Sequence, residues 1–162
     1  MSSLYYIDKF WPGRLALAAR PRGGDWLPDE IANWKRSGIS GVVSLLTPEE
    51  ERDLELMDES RETRSQGLEF LAFPIPDRQA PASEAALAQM LERIDQRLAA
   101  GKNVLIHCRQ GVGRSTGCCL FTGEKRNESR RGGGHSFKRT RSPYSRNARA
   151  ARVDSITTLQ YP

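Results

Sequence analysis

Residues 107–115 read His107-Cys108-Arg109-Gln110-Gly111-Val112-Gly113-Arg114-Ser115, which sets a thiol and a guanidinium at the two ends of a glycine-bearing loop. The backbone N–H groups of such a loop, with a helix N-terminus at Arg114, form a concavity suited to an anion. That positive potential lowers a thiol's pKa from about 8.5 into a range of roughly 3.5–7.5, which makes Cys108 a candidate thiolate nucleophile at neutral pH. Arg114 can fork two hydrogen bonds onto phosphoryl oxygens, a geometry a lysine cannot match. Gly111 and Gly113 let the amides turn inward with no Cβ in the way. A merely structural thiol at Cys108 would leave the Gly-x-Gly-Arg-Ser sequence without a purpose. His107 and Cys108 lack the companion pair at ligand spacing that a metal site needs.

The elements that must hold this loop alternate along the chain. Residues 4–7 and 14–18 read as short strands joined by a turn at Pro12-Gly13. Asp25 opens a helical segment with Pro28 in its first turn, Leu27, Ile31 and Trp34 on its apolar stripe, and Gly38 as its stop. Residues 41–46 form an apolar, β-branched run that suits a buried strand. Thr47-Pro48-Glu49-Glu50 is a capping box with proline at the first helical position, predicting a helix from there to about Gln66, where Gly67 ends it. A strand over residues 68–75 leads into a proline-rich loop over 74–81. Ser83 caps a helix whose stripe is Leu87, Met90, Leu91, Ile94 and Leu98. Gly101 closes it, and residues 103–106 form the last buried strand. This order predicts an α/β fold with a mostly parallel central sheet flanked by helices. Ligands in such sheets bind beyond the carboxyl ends of the strands, which is where Cys108 falls.

The stretch from His107 to Ser115 resembles the active-site signature of cysteine-dependent protein tyrosine phosphatases: His-Cys, five residues, Arg, then Ser or Thr. The short chain and the loop Phe73-Pro74-Ile75-Pro76-Asp77-Arg78-Gln79-Ala80-Pro81 resemble the small dual-specificity branch, in which an Asp about thirty residues before the Cys is the general acid. Asp77 lies 31 residues before Cys108. The resemblance, which spans residues 4–117, implies that Cys108 attacks phosphorus while Asp77 protonates the leaving oxygen and later activates water. It further implies that Ser115 assists the departing sulfur and that His107 orients the loop. Arg109, Gln110, Gly111, Val112, Gly113 and Arg114 would hold the phosphoryl oxygens. The substrate expected is a phosphorylated protein or peptide, with no metal or organic cofactor. The plainer readings of Asp77 and Ser115 are a turn residue after Pro76 and a helix-start residue. Lysines inside this loop mark relatives that take inositol phospholipids, and Gln110 and Val112 depart from that pattern.

The chain has 162 residues, 38% of them hydrophobic and 28% charged, and no run long enough for a membrane span. Met1 to Phe10 lacks the pattern of a signal peptide, and the three cysteines all fall between Cys108 and Cys119, so a reducing, cytoplasmic setting and a monomer are expected. The formal charge of +5 is unevenly placed: residues 118–162 carry ten Lys or Arg against three acids, and the residues before them 15 against 17. The basicity therefore belongs to a tail rather than to a domain face, and nucleic acid is not the expected partner. The catalytic-type domain spans residues 1–120, with its C-terminal helices missing. Residues 121–162, with the triplet Gly132-Gly133-Gly134 and few apolar side chains, read as an irregular, disordered tail. A reading frame displaced near Gly117 accounts for this break, because codons allowed for residues 118–133, read one base later, can encode an apolar helix, a glycine stop and a new helix start. The rival classes are a phosphate-binding or frame-damaged product without turnover and, behind it, an RNA 5′-phosphatase. Sequencing the gene from neighbouring strains checks the displaced frame: it predicts an apolar helix after Gly117 in intact copies, and the same uninterrupted frame in all strains contradicts it.

Overall fold

Strand alternation decides which side of the sheet each residue of the loop's approach occupies. In a computed structural model, which describes residues 3–7, 11–111 and 113–117, the strands are β1 (Tyr5–Ile7), β2 (Leu15–Ala19), β3 (Gly41–Ser44), β4 (Glu69–Ala72) and β5 (Val104–Cys108). The helices are α1 (Leu27–Arg36), α2 (Pro48–Asp53), α3 (Glu59–Ser65) and α4 (Glu84–Ala99). The sheet order is β1-β2-β5-β3-β4; β1 pairs antiparallel with β2, and every other pairing is parallel. The mostly parallel α/β architecture expected from the sequence is present. β5 lies in the middle, and all five of its residues are buried.

Leu15, Leu17, Val43, Val104, Ile106 and Cys108 share one face with Met90, Leu91, Ile94 and Leu98 of α4. Ala16, Ala18, Val42 and Leu105 share the other with Ile31 and Trp34 of α1. Full burial of each large aliphatic side chain contributes about 1.5–3 kcal/mol, so this two-faced packing is what fixes the register of β5. His107 alternates with Cys108 and so belongs to the α1 face.

Local signals explain most boundaries. The capping box at α2 is complete: Thr47 Oγ1 accepts from the Glu50 N–H and the Thr47 N–H donates to Glu50 Oε2. Ser83 Oγ accepts from the Ala86 N–H at the start of α4. Asp25 lies in a short 3-10 turn (Gly24–Trp26) that precedes α1, with Pro28 in the first turn of the helix.

Three expectations are corrected. The single helix expected from Thr47 to Gln66 is two, because Glu55 takes a left-handed φ of 56° and the chain reverses there. Gly23 packs so tightly on this corner that a Cβ on it would lie 2.1 Å from the Leu54 carbonyl oxygen. The reversal tucks Leu56 and Glu59 into the interior. The strand expected over residues 68–75 is shortened to β4, although the N–H groups of Phe73 and Ile75 still donate to the carbonyls of Ser44 and Leu45 beyond it. β5 runs two residues beyond Ile106, making Cys108 the last strand residue. Val112 and the basic tail with its proposed frame lie outside the described residues.

Gly111 seals the loop against the sheet. Its φ is 75°, and a Cβ there would lie 2.6 Å from backbone atoms of Ala18 and Ala19. Replacing Gly111 with Ala is expected to cost about 1–3 kcal/mol from backbone strain alone. Urea unfolding of Gly111→Ala beside the wild type checks this.

Candidate active site

Cys108 ends β5 at the carboxyl edge of the sheet, opposite Ala19 of β2 in the register. Its side chain is buried on the α4 face. Burial pushes the thiol up, but the Ser115 hydroxyl and the backbone N–H groups of Ser115, Gly111 and Gln110 outweigh it and hold the thiol below its ordinary value. The sign favours thiolate at lower pH than a free cysteine allows. Arg109, Gln110 and Gly113 are exposed around it, and residues 113–117 are helical. Ser115 is fully buried, and its hydroxyl has no geometric hydrogen-bond partner among the described residues, although it stands near enough to Cys108 to lower the thiol.

Arg114 is the buried hub of the site. Nη1 donates to Glu50 Oε2 at 2.7 Å, to the Ile75 carbonyl at 2.7 Å and to the Leu45 carbonyl at 3.2 Å, while Nη2 donates to Glu50 Oε1 at 2.8 Å. Glu50 thus grips the far end of the guanidinium in a bidentate fork. The side edge, Nε–H with the second Nη2–H, makes no hydrogen bond within the described residues. Two parallel donors at phosphate spacing remain there. Asp77 Oδ1 lies 3.9 Å from Nε, and the Asp77 side chain is 67% exposed, so this carboxyl stands beside the open edge with access to solvent. Arg78, next to it, has a φ of 57°.

His107 turns away from this cluster. It is fully buried on the opposite face, its Nε2 is 2.7 Å from Glu59 Oε1, and its ring centroid is 5.8 Å from that of Trp34. Of the residues singled out in the sequence, Cys108, the backbone N–H of Gln110, Gly111, Arg114, Ser115 and Asp77 therefore converge at one edge, with the Gln110 side chain exposed. Arg109 and Gly113 stand at the rim, and His107 lies behind. Glu50 and Glu59 were missed. The capping box explained Glu50 completely at the level of local structure, and only its place just after a central strand hinted at the carboxyl-edge crevice. Glu59 gave no signal, because its burial depends on the corner at Glu55. Among the described residues, no group of three His, Cys, Asp or Glu could hold a metal ion, and no helix is long and apolar enough to cross a membrane.

Residues 17–123 match the family model described as "Polymorphic toxin system, DSP-PTPase phosphatase". Among solved structures, the chain is similar to Tk-PTP in its active form at 32% identity and a TM-score of 0.59, over 72% of this chain and 71% of that one. It shares its fold with kinase-associated phosphatase bearing a serine in place of its catalytic-site cysteine, at 21% identity and a TM-score of 0.64, over 67% of this chain and 64% of that one. The PTP-2 phosphatase of Cydia pomonella shares it as well, at 21% identity and a TM-score of 0.54, over 70% of this chain and 66% of that one. The chain thus spans just under two thirds of the kinase-associated phosphatase chain. No curated protein matches it.

The Arg114 hydrogen bond holds the Glu50 carboxyl below the ordinary carboxylate range, against the effect of burial. A depressed folded pKa means that the ionised form stabilises the fold above the ordinary range, and that this contribution disappears as pH falls through the depressed value. Glu50→Ala leaves a buried guanidinium without its counter-charge and is expected to cost about 3 kcal/mol or more at neutral pH. Its deficit relative to wild type should shrink on acidification, as read by urea unfolding at neutral and acid pH.

Proposed function

This chain belongs to the DSP-PTPase phosphatase family, and from that footing we propose that it hydrolyses phosphotyrosine, phosphoserine or phosphothreonine monoesters in proteins through a phosphocysteine intermediate. The observation that carries this reading is the facing of a thiol biased toward thiolate and a buried arginine whose only open edge is a two-donor fork beside Asp77.

In the first step the Cys108 sulfur forms a bond to phosphorus as the bond from phosphorus to the leaving oxygen breaks. Asp77, as general acid, gives its proton to that oxygen. The negative charge on the phosphoryl oxygens is met by the Nε and Nη2 hydrogens of Arg114 and by the loop amides, donors already fixed before reaction and so costing little reorganisation. Three acceptors on Nη1 and one on Nη2 prevent the guanidinium from turning. In the second step Asp77 takes a proton from water, the water oxygen bonds to phosphorus, and the phosphorus–sulfur bond breaks. The Ser115 hydroxyl stabilises the departing thiolate by the same contact that lowers the thiol in the free protein. Arg109 and Gln110 stand exposed at the rim, Arg109 adding positive potential where a dianion arrives.

Phosphate release from an aryl phosphate and a phosphotyrosine peptide tests the reading. Cys108→Ser is expected to abolish turnover, and Asp77→Asn to slow it about 10²-fold or more. The acid limb of kcat/KM should lie below the ordinary thiol range, and Ser115→Ala should move it to higher pH, because removing a group that favours thiolate raises the thiol's pKa. Turnover that survives in Cys108→Ser overturns the proposal.

A further inference from the structure

The face of the sheet opposite Cys108 holds a buried polar cluster that the mechanism above does not use. His107 and Glu59 are 0% and 1% exposed, and His107 Nε2 lies 2.7 Å from Glu59 Oε1. Thr63, one turn further along α3, is also fully buried, and its Oγ1 has no partner among the described residues. The same holds for Trp34 Nε1 of α1, and neither ring nitrogen of His107 nor either carboxylate oxygen of Glu59 meets hydrogen-bond geometry, so the 2.7 Å contact is a close pairing rather than an aligned hydrogen bond. Glu51 of α2 faces the cluster as well: burial pushes its carboxyl up, the charge of Glu59 adds to that, and His107 opposes both. Around this group lie Ala16, Ala18 and Leu105, an apolar setting.

Such a pair is a poor source of stability. Removing two polar groups from water costs several kcal/mol each, and apolar side chains of similar volume often serve as well or better. What the pair does provide is direction. A carboxylate oxygen against one imidazole nitrogen fixes which nitrogen carries the proton and how the ring stands. His107 is the residue before Cys108, its carbonyl accepts from the Leu45 N–H at 3.0 Å, and Leu45 in turn gives its own carbonyl to Arg114. The orientation of His107 is therefore transmitted through one peptide bond to the nucleophile and through one residue to the guanidinium.

We propose that Glu59 is a positioning residue: by pairing with Nε2 of His107 it locks the end of β5 and so sets the angle at which Cys108 is presented. The proposal rests on the reading of Cys108 as the nucleophile. It ties the reversal at Glu55 to the site, since that corner is what carries Glu59 beneath the sheet.

The test compares Glu59→Gln, which keeps an acceptor oxygen, with Glu59→Leu, which fills the space and accepts nothing. Three readouts are taken: the alkylation rate of Cys108 by iodoacetate, kcat on an aryl phosphate, and urea stability. Glu59→Leu leaves His107 buried without its partner and should be less stable than the wild type, while alkylation and kcat of the folded protein fall about tenfold or more, the scale expected when a reacting group is slightly misplaced. Glu59→Gln should stay within about threefold of wild type on both, since the acceptor that orients the ring is kept. Wild-type rates in Glu59→Leu overturn the proposal, and so does a loss in Glu59→Gln as deep as that in Glu59→Leu. If Glu59→Leu does not fold, the nitrogen NMR signals of His107 in the wild type decide: protonated Nε2 supports the proposal and unprotonated Nε2 overturns it. Should the wild type alkylate at Cys108 yet release no phosphate, the phosphatase reading fails while the alkylation comparison still decides the role of Glu59.

Discussion

A buried guanidinium must be matched on nearly every hydrogen, and in this chain that demand organises the carboxyl edge of the whole sheet. Arg114 draws its acceptors from the residue after β3, from α2 and from the loop after β4, all of them 39 or more residues before it in sequence. Each is held at a strand's carboxyl end by the parallel register, so the sheet brings the acceptors together and the arginine staples them in place. Stability and chemistry share this interaction. The contacts that pay the desolvation cost of the guanidinium are the ones that leave a single edge free for an anion.

The Cys108 thiol likewise depends on the groups placed around it. Burial alone would disfavour a thiolate at Cys108, and the loop amides and Ser115 reverse the balance. Gly111 makes this possible by combining a left-handed backbone with contact against β2 that excludes a side chain. The two carboxylates near the site then divide by environment. Glu50 is buried against Arg114 and held ionised, and Asp77 is largely exposed beside it.

Much of this was legible in the residues. The apolar runs at β3 and β5, the capped starts of α2 and α4 and the glycine stops each rest on local physics, and each appears close to where it was expected. The spacing from Cys108 to Arg114 required a loop at a strand end, and one is there. What local signals could not reveal were contacts across long sequence separations. Glu50 satisfied its capping box so fully that nothing pointed to Arg114, 64 residues away. The helix from Thr47 broke at Glu55 because Gly23 and Gly24 press on that corner from another part of the chain, and no periodicity records this. Glu59 followed from that break. The proposed frame change and the basic tail lie beyond Gly117 and outside the described residues.

The central claim is that Cys108 carries the phosphoryl group in transit. Rapid acid quench of the wild-type chain with an aryl phosphate, followed by peptide mass analysis, tests it directly. The account predicts one phosphoryl group on the peptide containing Cys108, accumulating further in Asp77→Asn with a good leaving group, whose second step lacks its base. Phosphate release with no label on Cys108, or with the label on another residue, would contradict it.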